Sequence, residues 1–149
     1  MNKQAGMTMV ELITAVAITG IIVAFLGTAV YQIFHVSDYG NGRLTALHEL
    51  QNAAYWLNTD GPGAVSATGG SQLLLTLADN STITYSLSGT SLLRSSTGSP
   101  MILARNISSA SFAVNSRVVT IDLTSSPVAS NNVSQTGTYM FYLRPTGGS

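Results

Sequence analysis

Glu11 is the only charged side chain between Lys3 and Asp38, and it stands at the start of a long apolar run. A carboxylate among such neighbours costs about a few kcal/mol unless it finds a cation or reaches water. Its natural chemistry is therefore ion pairing with an amino group, or a short reach back to lipid headgroups. The other titratable groups offer less. His35 and His48 are the only histidines, there is no cysteine, and the carboxylates after residue 61 are Asp79 and Asp122. No pair of histidines or carboxylates falls at metal-ligand spacing, and a calcium site needs several close oxygens. Both histidines precede the segments that would build a catalytic pocket, so they read as solvated or helix-packed. No catalytic, cofactor-binding or metal-ligating residue is predicted.

The element that carries Glu11 runs without charge from Leu12 to Phe34. At 1.5 Å per residue that is about 35 Å of helix, enough to cross a hydrocarbon core. A cleavable secretion signal places its small residues after the apolar run, whereas here Gly6 precedes it, although Ala24, Gly27, Thr28 and Ala29 leave a later cut open on these grounds alone. With Lys3 ahead of the run, the positive-inside tendency puts residue 1 in the cytoplasm and the bulk of the chain outside.

Beyond the run, Asp38-Tyr39-Gly40-Asn41-Gly42 predicts a kink or short break. Leu44, Leu47, Leu50, Ala54 and Leu57 then recur at helical spacing as an apolar face, with Arg43, His48, Glu49 and Asn52 opposite. Asp60-Gly61-Pro62-Gly63 ends the helix. From Ser71 the pattern changes to short runs rich in Leu, Val, Ile, Thr and Tyr: QLLLTL, STITYSL, SLLR, SFAVN, RVVTIDL and TYMFYL are strand candidates. Turns are expected at Ala78-Asp79-Asn80 and Ser88-Gly89-Thr90, and a polar loop from Ser125 to Gly137. No repeat is visible.

Composition narrows the function. Formal net charge is zero and charged residues make up 8% of the chain, against about a quarter in ordinary domains. Arg94, Arg105, Arg117 and Arg144 are scattered, so isolated surface charges are expected and no nucleic-acid partner is predicted. Sequons at Asn80, Asn106 and Asn132 are close to the number that such a Ser/Thr-rich chain produces by chance and carry little weight.

Gly6-Met7-Thr8-Met9-Val10-Glu11-Leu12, followed at once by the apolar helix, resembles the cleavage and methylation motif of type IV prepilins and type II secretion pseudopilins. The resemblance implies that a membrane-embedded prepilin peptidase removes the leader, residues 1–6, by cutting between Gly6 and Met7 on the cytoplasmic side. Met7 would then be N-methylated. The family more often has Phe at that position. Glu11 becomes the fifth mature residue, where it would pair with the α-amino group of a neighbouring subunit during assembly. By themselves Gly20 and Gly27 equally suit close packing of this helix against another; the resemblance implies that they lend it flexibility, and Thr28 stands where many major pilins carry a helix-breaking proline.

The implied fold is α+β: a long N-terminal transmembrane helix packed at its C-terminal half on an antiparallel β-sheet. Its parts would be a transmembrane and filament-core helix over 7–34, an amphipathic continuation over 35–60 and an extracytoplasmic β-sheet domain over 61–149. LTALHELQNAAYWLNTD, ITYSLSGTSLLR and ILARNISSASF further resemble, in order, segments of J-type minor pseudopilins and W-like minor pilins. That likeness implies a minor tip or priming subunit and no enzymatic activity. Its partners would be other pilin or pseudopilin subunits, the peptidase, an inner-membrane assembly platform and membrane lipid. The chain would begin as a single-pass inner-membrane protein and end in a cell-surface pilus or periplasmic pseudopilus. The alternatives are a major pilin of the filament shaft and, in another class, a membrane-anchored binding or enzymatic domain.

Overall fold

The computed structural model describes residues 7–127 and 133–145. Gly6, the rest of the expected leader and Asn132 lie outside them. The chain divides into two compact units, with the boundary between Asp38 and Tyr39. Helix α1, Met9–Asp60, contributes to both.

In the first unit every described side chain is exposed. This part of α1 is long and apolar enough to cross a membrane. It carries large apolar groups on all sides, Val16, Ile21, Phe25, Val30 and Phe34 among them. An all-round apolar helix suits a surrounding that is itself apolar.

The second unit is built on α1 from Tyr39 onward. The expected break at residues 38–42 does not form, because α1 is helical throughout. Each glycine costs roughly 1 kcal/mol in a helix. Gly42 is buried and starts the packed face, so tertiary packing outweighs that cost. The face also differs from the leucine pattern. Gly42, Ala46, Leu50, Ala53, Leu57 and Asp60 are buried, whereas Leu44 is 57% and Leu47 36% exposed. Small residues let the helix axis approach the sheets closely, and the two leucines are turned outward. Glu49, expected on the polar face, accepts the Arg105 backbone N–H at 2.6 Å.

A 3-10 turn at Gly61–Gly63 ends the helix as expected. Eight strands follow: β1 Ala64–Thr68, β2 Gln72–Leu77, β3 Thr82–Ser88, β4 Ser91–Ser95, β5 Met101–Ala104, β6 Ile107–Asn115, β7 Val118–Ser125 and β8 Gln135–Tyr142. They form two antiparallel sheets, one of five strands in the order β1 to β5 and one of three in the order β6-β7-β8. An isolated bridge between Gly70 and Phe112 links the segment after β1 to β6. Both expected hairpin turns are present. Asp79 accepts the Ser81 backbone N–H and hydroxyl, Asn80 takes φ 65°, and Gly89 takes φ 60°. Leu50, Ala53 and Leu57 from the helix meet Leu73, Leu75, Ile83 and Tyr85 of the larger sheet, and Phe112, Val119, Ile121 and Phe141 of the smaller, in a single core. A long helix against antiparallel sheets is a pilin-like α+β layout.

Candidate functional site

The start of α1 is organised around Glu11. Thr8 is the N-cap, and its backbone N–H and its hydroxyl both donate to Glu11 Oε2 at 3.0 Å. The Glu11 N–H in turn donates to Thr8 Oγ1 at 3.3 Å. This reciprocal exchange is a capping box, which satisfies backbone N–H groups that the first helical turn leaves without partners. It also places a negative group at the positive end of the helix dipole. The sequence signal for Thr8 as a cap is Thr and Glu three positions apart, directly ahead of an apolar run, a pattern that the reading of the methylation motif alone does not use.

Met7 lies beside this cap and is 68% exposed. Cleavage after Gly6 would therefore put a new amino group one residue from the cap. Gly20 and Gly27 are regular helical residues, and a Cβ at either would meet nothing within 4 Å in this chain. The hydroxyls of this stretch turn inward. Thr14 donates to the Val10 and Glu11 carbonyls, Thr19 to Ala15, and Thr28 to Ala24 at 3.2 Å and Phe25 at 2.8 Å. Thr28 thus bonds the carbonyl that a proline there would repel.

A second charged group closes the other end of the helix. Asp60 is buried and takes Arg94 in a two-point bond, Nε to Oδ2 at 2.6 Å and Nη2 to Oδ1 at 3.0 Å. The Tyr85 hydroxyl also donates to Oδ2. Arg94 lies under the Trp56 ring, 4.9 Å from its centre. Burial, and then the bond to the carboxylate, push the Tyr85 phenol far above its ordinary range, while Asp60 holds Arg94 more firmly charged. A carboxylate is unfavourable at a helix C-terminus. Arg94 and Tyr85 offset that and tie α1 to β3 and β4.

The other singled-out groups stay apart. Asp79 serves its own turn and Asp122 accepts the Thr138 hydroxyl at 2.6 Å. His48 is exposed, and the exposed His35 packs edge-on against Tyr31. Arg117 donates to the Leu143 carbonyl. Among the described residues no three His, Asp or Glu side chains gather as a metal site would require.

Residues 1–27 match the family model for the prokaryotic N-terminal methylation motif. No curated protein and no solved structure matches the chain. The matched segment holds Gly6, Met7, Glu11, Gly20 and Gly27, and it fits a membrane-anchored protein of the pilin type. The chain carries a prepilin-type methylation motif on a long apolar helix, followed by an α+β head of pilin-like layout.

Proposed function

We propose that the protein is a structural subunit of a type IV pilus or type II secretion pseudopilus, held in the inner membrane by α1 and polymerised through it. One observation carries this reading. The methylation motif over residues 1–27 sits on a helix whose apolar surface is exposed along the whole first unit, with no described residue covering it. Apolar area of that extent calls for lipid or other subunits around it.

The chemistry at the amino terminus follows. A prepilin peptidase hydrolyses the Gly6–Met7 bond, releases residues 1–6 and leaves an α-amino group on Met7; methylation keeps that nitrogen basic. Glu11 supplies the compensating charge. In the isolated chain its Oε2 is engaged by Thr8. In the filament the carboxylate pairs with the Met7 amino group of a neighbour and fixes the axial stagger between subunits.

Intact mass of chain co-expressed with a prepilin peptidase tests the processing: loss of residues 1–6 with gain of one methyl group is expected. An uncut chain sinks the proposal and favours a membrane-anchored binding or enzymatic domain. Two variants then separate pairing from capping. Glu11→Gln keeps a hydrogen-bond acceptor for Thr8 but removes the charge, and Glu11→Ala removes both. If the charge matters, both lose filament incorporation by about tenfold or more, as a 1.4 kcal/mol contact implies. Neither should disturb residues 61–149.

Within the filament we place the chain as a minor tip or priming subunit. Support comes from Thr28 in place of a proline and from the likeness of the distal segments to minor subunits. Gly20 and Gly27 then supply what flexibility the helix needs. Mass spectrometry of sheared filaments checks this, and a dominant share of the chain in the shaft would make it the major pilin.

A further inference from the structure

We propose that Tyr31 and His35, with Gln32 beside them, form an anchor that binds the phospholipid headgroup layer where α1 leaves the membrane and fixes the depth of the helix. The inference rests on the membrane-spanning reading above.

Polar groups of the apolar helix first need a partner from outside beyond Thr28. Thr14, Thr19 and Thr28 all donate to carbonyls of their own helix, so none requires anything from its surroundings. The next polar side chains are Tyr31, Gln32 and His35. Among the described residues none of them finds a hydrogen-bond partner, and all three are exposed. The stretch from Leu12 to Val30 is therefore self-satisfied, and at 1.5 Å per residue it measures about 28 Å. That length matches a hydrocarbon core of about 30 Å. The demand for outside partners begins where the lipid tails would end.

The rings are arranged for that boundary. Tyr31 and His35 lie one turn apart on the same face, their centroids 4.2 Å apart and their planes at 65°, an edge-to-face pair. Each restrains the other, and each offers an apolar body with a polar tip, the form that suits an interface apolar on one side and wet on the other. Asp38, the first charge after Glu11, shares this face one turn further out. Tyr31 is the only tyrosine in the uncharged run, and Trp56, the only tryptophan, lies far beyond it. The anchoring aromatics thus mark one end of the span.

The absence of cysteine makes the test direct. Single cysteines are placed at Ala15, Ala24, Ile33 and Ser37 in the full chain, reconstituted in phosphatidylcholine–phosphatidylglycerol vesicles. N-ethylmaleimide reacts with the ionised thiol and so reports contact with water. The probes at residues 15 and 24 should be unreactive, and those at 33 and 37 reactive. Adding Tyr31→Ala and His35→Ala should move the boundary outward by about one turn, with a several-fold loss of reactivity at 33, while Tyr31→Trp should hold it in place. A boundary unmoved by the alanine pair overturns the anchor and leaves the membrane reading standing. Reactivity at 15 and 24 equal to that at 37 overturns both.

Discussion

The two stretches of α1 follow one helical geometry and solve different problems. Before Asp38 the apolar residues lie on every side and none is buried; after Tyr39 one face is buried and the outward remainder is mostly polar, with Leu44 and Tyr55 exposed on it. A helix that packs on its own protein must sort its residues by face. One whose surroundings are uniformly apolar has no reason to sort them. The large side chains are also spent differently. The first stretch displays Phe25, Leu26 and Ile33, whereas the second packs through Gly42, Ala46 and Ala53, with Leu50 and Leu57 as its large buried anchors and Trp56 packed at the edge of the core.

The contrast can be broken at its strongest point first. Asp60→Ala leaves Arg94 and Tyr85 without their acceptor in a mostly buried setting. The head should lose about 3 kcal/mol or more, as when one partner of a buried pair is removed. Urea unfolding followed by near-UV circular dichroism reads it. A loss under about 1 kcal/mol would mean that water replaces the carboxylate.

Next comes a matched pair on the helix itself. Leu57→Ala, at a site 1% exposed, should cost the head about 3 kcal/mol. Ile22→Ala, at a site 52% exposed, should change head stability by under about 0.5 kcal/mol. Equal effects in the same unfolding assay would erase the distinction between the stretches.

A smaller effect is expected at the junction with the sheets. A Cβ on Gly61 would stand 2.5 Å from Phe141 Cδ2. Gly61→Ala should thus cost about 1–3 kcal/mol by overpacking, measured by thermal melting, and Phe141→Leu should recover part of it.

The smallest concerns pH. The Tyr85 phenol is raised in the folded head by burial and by Asp60. A raised value contributes stability that is complete below the unfolded value of about 10 and is lost as pH climbs above it. The head should hold constant stability from this group up to about pH 10 and weaken beyond. Tyr85→Phe should remove that share of the alkaline loss at a cost of about 1 kcal/mol at neutral pH. An unchanged alkaline limb would exclude Tyr85 as its source.

Much of this was legible in the residues. Alternation marked β2, β3, β6, β7 and β8, and turn chemistry marked both hairpins around β3. AVSAT and MILA were missed as β1 and β5 because they are short and become strands through pairing with β2 and β4. The buried face of α1 was misjudged because leucine spacing signals an apolar stripe but does not show that close approach would favour Ala46 and Ala53 over Leu44 and Leu47. One sheet was expected where there are two. The Thr8–Glu11 cap was readable as a local motif, since its members stand only three positions apart. The Asp60 cluster was not, because its partners lie 25 and 34 residues away and only the fold brings them together.

Strand β8 carries a consequence for biogenesis. Its Tyr139 hydroxyl bonds the Leu50 carbonyl across 89 residues, Phe141 lies against Gly61, and the Arg144 N–H just beyond it bonds the Ala64 carbonyl. The last strand described thus closes onto the first pieces of the head. Such distant pairings form late and slowly in a folding chain. During synthesis the apolar helix is complete and ready for the bilayer while the head still lacks its closing strand. On the topology proposed above, the head would cross the membrane as an unclosed chain, and insertion would proceed without help from a folded partner behind it.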